Sequence, residues 1–591
     1  MILQALCEYY DRKEQQPEVA LAPFGFEEKE IPFVIVLNEA GTFALLADQR
    51  EIHDGKLKAR VFLVPKAKGR SGSKSCEVAN CLWDHYGYVV AQPKLEKPDS
   101  IPSEHDLEMA VKQHSSFKNL VESLHIALPD DIGVNAVWRF LNSVEEIEKV
   151  KRSELWPDVL KIKGCNIGFK LTSRSDLVCQ SLPVIDWVRN QPFDPKDTQL
   201  GICLVTGEST QVARLHSSVA GVNQKPSPLA SINDDAYESY GKSKGFNFPV
   251  SIEADFKYTT ALNHLLRKSS KTKFRLNDTS YVCWSEKSNS LEVSFSGFFV
   301  DRPHDSEKGA DAIKALFATL HNGAYTEPDG RDRFYVLGLS PNSARISIRF
   351  WQVGTVAEFS ERLGQWFQDL KIDGVDYYGF AAIKGLIRSM ALLGDEKNLS
   401  PNLASDISRA VLSGLPLPAS VIHAVIRRIR AEPGGAKYPR DDYYRACLIK
   451  AYLNRGYRIT HNTHKEIAVS LNEEEKRIGY LLGRLFAVLE KLQKDAQGKT
   501  NATIRDRYYS SASCTPKSVF CTLIRMSTNH LKKLEKDSWK VNAEKLLDGI
   551  TKDIRDFPAN LDLEQQGLFA LGYFHQRQNF YPSKTIQGEL S

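Results

Sequence analysis

The chain has 591 residues, of which 42% are hydrophobic and 26% charged, an ordinary globular composition that excludes a disordered or fibrous chain. Because single hydrophobic cores stop growing at roughly 250 to 300 residues, this length predicts two or three domains. No apolar run approaches the roughly 18 residues of a membrane span and the first residues lack a signal-peptide pattern, so we expect a cytoplasmic protein that enters no membrane. The net charge of +5 is too mild to indicate nucleic acid by itself.

The first two thirds of the chain mix two kinds of periodicity. Short apolar or alternating runs predict strands, among them IPFVIVLN, ARVFLVP and ARISIRFW. Runs with apolar residues at spacings of three and four predict helices between them, among them FKNLVESLHIAL and VNAVWRFLNSVEEIEKV. We therefore predict an α+β N-terminal domain over residues 1–375.

After about Gly374 the strand signals stop and helical periodicity takes over. We predict a helical connecting region over residues 376–465 and a C-terminal helical bundle over residues 466–591. Within that bundle, Ser470–Gln578 supplies about four amphipathic helices with short connections. The predicted fold class is α+β and multidomain: a mixed α/β N-terminal domain followed by an all-helical region that ends in a four-helix bundle.

A basic loop follows the predicted strand ARVFLVP, which ends at Pro65. The loop resembles a phosphate-binding P-loop only loosely, because GRSGSKS lacks both the spacing between glycines and the lysine directly after the second glycine. Serine hydroxyls and backbone amides suit phosphate oxygens, whereas lysine and arginine supply charge or contact guanine. The candidate DNA contacts in this loop are Lys66, Lys68, Arg70, Ser71, Ser73 and Lys74.

Other polar or basic segments are candidate contacts as well. A loop over residues 221–233 carries amide side chains that could read base edges, and its candidate DNA contacts are Asn223, Gln224 and Lys225. Candidate contacts to a DNA strand or to RNA are Arg267, Lys268, Lys271, Lys273, Arg345, Arg349, Arg427, Arg428 and Arg430. A solvated surface is the alternative for each cluster, and an internal ion pair is the alternative for Arg345 and Arg349. The predicted strand ARISIRFW places those two arginines, four residues apart, on one face.

Enzyme signatures are weak throughout. His461 and His464 lack the further ligands of a metal site, and the cysteines form no CxxC pair. Cys203 and His216 could serve as nucleophile and base, but Cys203 follows an apolar strand pattern, which favours a core cysteine. We therefore expect no metal, no cofactor and no catalysis.

Several longer strings, taken in order, carry a family resemblance. The chain resembles the large subunit of the type I-C CRISPR Cascade complex along nearly its whole length. The strings are MILQALCEYY, GFEEKEIPFVIVLNEAG, ARVFLVP, CLWDHYGYVV, CLVTGESTQVARLH, NDDAYESYGKSKGFNFPVS, YTTALNHLL and YVLGLSPNSARISIRFW. Relatives continue Leu-Trp-Asp with Asn, whereas this chain has His85 after Leu82, Trp83 and Asp84.

The resemblance implies a DNA-binding subunit of an RNA-guided antiviral assembly. Such a subunit recognises the protospacer-adjacent motif on duplex DNA, promotes R-loop formation, stabilises the displaced single strand and helps recruit the helicase-nuclease. Its implied partners are guide crRNA, target double-stranded DNA and the backbone, handle-binding and small subunits. The C-terminal bundle is similar to the small subunit. The alternatives are a metal- or nucleotide-dependent enzyme acting on nucleic acid, and a scaffold that reads no sequence.

Overall fold

The computed structural model describes residues 1–16, 21–53, 55–67, 70, 75–94, 101–191, 197–232, 234–299, 328–343, 345–373, 382–400, 402–432, 436, 439–498 and 501–581. These residues divide into two compact units with separate hydrophobic cores. Unit 1 comprises Leu3–Ser217 and Ala230–His264, and unit 2 comprises Ser218–Leu229 and Leu265–Ser591. The predicted α+β multidomain class is confirmed. Within the described residues, every helix is too short or too polar to cross a membrane.

Unit 1 is a mixed α/β structure. Its strands are β1 (Phe26–Glu30), β2 (Phe33–Leu37), β3 (Phe43–Asp48), β4 (Arg50–His53), β5 (Lys56–Ala59), β6 (Val61–Pro65), β7 (Trp83–His85), β8 (Asn166–Leu171), β9 (Thr198–Ile202) and β10 (Ser209–Ala213). Its helices are α1 (Ile2–Glu14), α2 (Tyr86–Val90), α3 (Glu104–Ala127), α4 (Ile132–Leu141), α5 (Val144–Lys151), α6 (Trp156–Lys161), α7 (Leu182–Arg189) and α8 (Ile252–Leu266), at whose end the chain passes into unit 2.

The main sheet of unit 1 has the strand order β3-β2-β8-β7. All five residues of β2 are buried, which explains why this strand reads as a continuous apolar run rather than an alternating one. β2 pairs with β8 in parallel and with β3 antiparallel. Strand β6 lies outside this sheet, paired with β1, and delivers the chain to the basic loop.

Unit 2 combines one antiparallel sheet with many helices. Its strands are β11 (Ser218–Val219), β12 (Ser227–Pro228), β13 (Lys273–Leu276), β14 (Thr279–Ser285), β15 (Arg333–Asn342) and β16 (Arg345–Thr355), of which the last four form the sheet β13-β14-β15-β16. The helices that accompany this sheet are α9 (Ser290–Ser294), α10 (Val356–Leu370), α11 (Ile383–Met390), α12 (Leu403–Ser413), α13 (Ala419–Ala431) and α14 (Pro439–Ile459).

The C-terminal part of unit 2 is helical, as predicted. Its helices are α15 (Ile478–Gln497), α16 (Ile504–Ala512), α17 (Pro516–Lys532), α18 (Asp537–Thr551) and α19 (Leu563–Phe580), so the described residues add the short α16 to the expected set of four. Helices α15 and α19 approach each other closely because glycine faces the partner backbone. A Cβ on Gly483 would lie 2.0 Å from the carbonyl oxygen of Phe569, and one on Gly572 would lie 2.2 Å from that of Tyr480.

Candidate nucleic-acid interface

The basic loop that follows β6 is held at both ends by the segment of β7 and α2. The indole Nε1 of Trp83 donates a 2.9 Å hydrogen bond to the carbonyl of Pro65, where the loop begins. The hydroxyl of Tyr88 donates a 2.9 Å hydrogen bond to the carbonyl of Ser75, where the loop ends. Both ends of the loop are therefore fixed to one short, buried segment.

Arg70 fixes the middle of the loop. Its Nη1 donates to Oδ1 of Asp84 at 3.0 Å, its Nη2 donates to Oδ2, and its Nε donates to the carbonyl of Val78 at 2.7 Å. The guanidinium carbon also lies 4.1 Å from the ring centre of Tyr88. Every guanidinium nitrogen thus has an internal acceptor, which makes Arg70 an anchor of the loop in this arrangement.

Asp84 is the acceptor that this anchor requires. Only 1% of its side chain is exposed, and it also accepts backbone hydrogen bonds from Asn80 at 2.9 Å and His85 at 2.8 Å. Sequence reasoning assigned no role to Asp84, although the family string Leu-Trp-Asp contains it. The one available signal was a carboxylate directly after a buried tryptophan.

His85, where the family resemblance leads us to expect asparagine, caps helix α2. Its Nδ1 accepts a 3.1 Å hydrogen bond from the backbone N–H of Gly87. Burial lowers the pKa of His85, with Arg70 adding to the effect against Asp84, so the ring stays neutral and able to accept. Asparagine is also a favourable N-cap residue, so both side chains serve the same local structure.

Lys66 lies at the root of the loop and is exposed. Its Nζ donates a 2.8 Å hydrogen bond to the hydroxyl of Ser217 and lies 5.5 Å from the ring centre of Phe256. Lys68, Ser71, Ser73 and Lys74 lie outside the described residues. The DNA contacts assigned to this loop stay a prediction.

In unit 2 the structure brings three separate candidate segments together. Lys273 Nζ donates to the carbonyl of Leu266 at 2.7 Å, at the end of α8, and to that of Gly221 at 3.4 Å. Asn223 Nδ2 donates to the carbonyl of Arg345 at 3.0 Å, and also to Ser227 Oγ at 2.9 Å. The loop after β11, the start of β13 and the start of β16 are therefore neighbours.

Positive charge is concentrated at the start of β13. Burial lowers the pKa of Lys273, and the nearby charges of Arg275 and Lys268 lower it further. Arg267, Lys268 and Lys271 are exposed in the turn before the strand. Gln224 and Lys225 are exposed in the neighbouring loop, whereas Asn223 uses its amide to hold that loop. We call Lys225, Arg267, Lys268, Lys273 and Arg275 the β13 basic surface.

The arginines of β16 differ from the expectation for a regular strand. The register between β15 and β16 shifts at Gly338 and Leu339, which pair with Phe350 and Ile348 and leave Arg349 in a bulge. A bulge breaks the two-residue alternation, so a spacing of four no longer puts Arg345 and Arg349 on one face. Arg349 Nε donates a 2.9 Å hydrogen bond to Ser340 Oγ on the adjacent strand.

Helix α13 carries the last three candidate arginines, and each has a different environment. Arg428 Nε donates to Glu432 at 2.8 Å, and Arg430 Nε donates to Ser510 Oγ at 3.2 Å. Arg427 is exposed and has no ion pair within the described part of the chain. Arg427 is thus the one of these three best placed to meet an external anion.

The basic stretch that continues beyond α13 is largely internal. Asp369, with 1% of its side chain exposed, pairs with Arg455 at 3.2 Å and with Arg458 at 2.9 Å. The backbone carbonyl of Asp369 also accepts from Lys450 Nζ at 3.1 Å. Arg445 is buried against Glu432 at 2.6 Å. These cations hold helices together and do not form a polyanion-binding face.

Cys203 and His216 each hydrogen-bond to other groups of the protein. Cys203 is buried, and its Sγ accepts backbone hydrogen bonds from Ser251 and Val205 at 3.2 and 3.4 Å. Burial opposes ionisation of the thiol, but hydrogen bonds from Ser251 and Thr206 outweigh it and lower the pKa of Cys203 to about 7. His216 Nδ1 instead lies 3.1 Å from the hydroxyl of Tyr258.

Comparisons with known proteins point to one family. A family model described as CRISPR-associated protein (Cas_Csd1) matches residues 6–581. No curated protein matches the chain. Across the described residues, no group of three or more His, Cys, Asp or Glu side chains is arranged to hold a metal ion.

Proposed function

Because the chain belongs to the Cas_Csd1 family of type I-C CRISPR-associated large subunits, we propose that it recognises the protospacer-adjacent motif on duplex DNA. In this proposal guide RNA pairing reads the target sequence, and the protein needs base contacts only at the motif. The protein also promotes R-loop formation and acts by binding, not by catalysis.

The observation that carries the proposal is the anchoring of the basic loop at Pro65, Arg70 and Ser75. Four residues separate each anchor from the next, so the chain between two anchors spans at most about 18 Å. Fixed anchor points reduce the conformational entropy that a loop loses on binding, which favours affinity for a short site. In our proposal Lys66, Lys68, Ser71, Ser73 and Lys74 contact the motif, and Arg70 positions them.

The displaced strand and the guide need contacts that do not depend on sequence. The exposed members of the β13 basic surface, Lys225, Arg267, Lys268 and Arg275, suit that role, because neighbouring lysines and arginines neutralise successive phosphates. The exposed Arg427 on α13 is a second such contact. We assign motif recognition and docking to residues 1–375, a connecting role to 376–465 and a function like that of the small subunit to 466–591.

Membership of a Cascade family implies other subunits of the complex as partners. We extend the partners to guide crRNA, the target duplex and the helicase-nuclease. Lysines and arginines in both units, in the loop after β6 and on the β13 basic surface, support contact with nucleic acid.

The test is equilibrium binding of the assembled complex, loaded with guide RNA, to duplexes that carry each possible adjacent motif. Lys68→Ala and Lys74→Ala are compared with the wild type at fixed salt, because such affinities change steeply with ionic strength. Lys163→Ala is the control, since Lys163 is an exposed lysine elsewhere in unit 1. We expect discrimination among motifs to collapse in the loop variants only.

Two outcomes would count against the proposal. Equal weakening on every motif would make the loop a phosphate clamp that does not read sequence, and unchanged binding would remove the loop from recognition altogether. DNA cleavage or nucleotide hydrolysis by the isolated chain would favour the enzyme alternative.

A further inference from the structure

A cavity of about 300 Å³ lies among helices α13, α14, α16 and α19 of unit 2. A cavity of this size is at the lower end of the range for small-ligand sites. Its lining includes two guanidinium groups, a carboxylate and three phenol rings, from Arg505, Arg577, Asp442, Tyr509, Tyr573 and Tyr581. We call this cavity the Arg505 pocket.

Arg505 is nearly buried yet incompletely paired. Only 6% of the residue is exposed, and within the described residues its Nε has no hydrogen-bond partner. The carboxylate of Asp442 lies 3.5 Å from Nη2, and the same carboxylate lies 3.5 Å from Arg445. A buried guanidinium with an unused donor costs free energy.

Arg577 adds a second charge beside the first. It is half-buried and has no ion pair in the part of the chain that the structure describes. The guanidinium carbons of Arg505 and Arg577 lie 5.3 and 5.5 Å from the ring centre of Tyr573, whose hydroxyl donates to Glu490. The lining has two guanidinium groups against the carboxylate of Asp442, and Glu490 lies next to it on the Tyr573 hydroxyl. Guanidinium forks match phosphate oxygens.

A second cavity, of about 710 Å³, lies next to the Arg505 pocket. Arg577 and Tyr581 line both cavities. The amines of Lys491 and Lys494 lie 5.7 and 5.3 Å from the ring centre of Tyr581. Lys491 is also paired with Asp495 at 2.6 Å. Cations interleaved with aromatic rings are the combination that binds nucleotides by phosphate contact and base stacking.

We propose that the Arg505 pocket binds a nucleotide, with the phosphate at Arg505 and Arg577 and the base against the exposed ring of Tyr581. A free nucleotide and a nucleotide within a single strand present the same chemistry. The site is distant in sequence from the loop after β6, and the proposal stands whether or not that loop reads the adjacent motif.

The experiment is isothermal titration calorimetry of the full chain at low salt. The four probes are dAMP, adenosine, inorganic phosphate and an oligodeoxyadenylate of six nucleotides. We expect dAMP to bind more tightly than adenosine or phosphate, and Arg577→Gln to weaken dAMP binding at least tenfold. Arg525→Gln removes the same charge from an exposed position on α17 and should leave binding unchanged. Arg577→Lys keeps the charge but loses the fork, and should give an intermediate affinity.

The oligonucleotide separates the two sources of ligand. Equal affinity for dAMP and the oligonucleotide assigns the pocket to free nucleotides, and tighter oligonucleotide binding that Arg577→Gln abolishes assigns it to a strand. Arg505→Gln should act as Arg577→Gln does; if its circular dichroism shows misfolding, the two Arg577 variants decide. No binding of dAMP or oligonucleotide at millimolar concentration, or equal binding by Arg577→Gln and the wild type, would overturn the proposal.

Discussion

Arg70 and Asp84 form a bidentate ion pair in which the carboxylate is almost completely buried. Arg70 comes from a loop of lysines, glycines and serines, and Asp84 is the middle residue of the short strand β7. This pair determines where the middle of the loop lies. The charge of Arg70 is therefore neutralised within the protein, and the charges left for a ligand belong to the lysines around it.

Arg70→Ala should destabilise unit 1 locally by about 3 kcal/mol, because it leaves a buried carboxylate without its countercharge. Faster hydrogen exchange across residues 75–90 would report the loss. Arg60→Ala is the control, because it removes an exposed arginine that lies just before β6. The double variant Arg70→Ala/Asp84→Asn should recover part of the protection, since no uncompensated charge remains; equal protection in all variants would contradict the pair.

The variant Asp84→Asn tests whether Arg70 positions the loop or contacts a DNA base directly. If Arg70 only positions the loop, Asp84→Asn and Arg70→Ala should reduce motif discrimination by similar factors, because both release the loop. If Arg70 contacts guanine directly, Asp84→Asn should retain discrimination, which only Arg70→Ala would lose. We expect the first result, measured by binding of the guide-loaded complex to duplexes with different motifs.

Arg427 and Arg455 should behave in opposite ways although both come from one basic stretch of sequence. Arg427→Ala should weaken DNA binding equally on all motifs and reduce the salt dependence by about one phosphate contact, with unfolding unchanged. Arg455→Ala should cost about 3 kcal/mol of stability, because the buried guanidinium pairs with Asp369 and also donates to the carbonyls of Ala410 and Leu415, which would lose their donor. Urea unfolding and salt-dependent binding of both variants test this, and a stable Arg455→Ala would contradict it.

The contrast between these residues shows what sequence could and could not predict. Helical and strand periodicity is local, so the α+β class and the helical C-terminal region were predictable. The partner of a charged residue is not local: Arg455 meets Asp369 across 86 positions and Asn223 meets Arg345 across 122. Counting cations therefore identified basic stretches, but it could not separate exposed charges from those bound to buried acids.

Gly483→Ala should destabilise the C-terminal helices, because the added Cβ would lie 2.0 Å from the Phe569 carbonyl and force α15 away from α19. Gly549→Ala is a matched control on α18, where an added Cβ has nothing within 4 Å. The control should gain about 0.5 to 1 kcal/mol from higher helix propensity. Urea unfolding followed by circular dichroism measures both, and similar shifts in the two variants would contradict the close crossing.

His575 should make stability depend on pH in mildly acidic solution. Burial, with the charge of Lys450 added, lowers the pKa of His575 to about 4, against about 6.5 in the unfolded chain. Between these values the unfolded state binds a proton that the folded state does not. The free energy of unfolding therefore falls as pH falls from 6.5 towards 4, by about 3 kcal/mol in total.

His575→Gln should remove this contribution. Urea titrations of both proteins at several pH values give the difference, in which the carboxylates common to both cancel. A wild type and variant with parallel pH profiles would show that His575 titrates alike in both states.

The placement of Asn223 also bears on how the chain folds during synthesis. Ser218–Leu229 belongs to unit 2, but the residues on both sides of it belong to unit 1. The carbonyl that Asn223 holds lies 122 residues downstream, which a ribosome adds in roughly 6 to 24 s. During that time Ser218–Leu229 is already synthesised with unit 1, but the Arg345 carbonyl that Asn223 binds does not yet exist. A fragment that ends before Arg345 would keep that segment permanently without its acceptor.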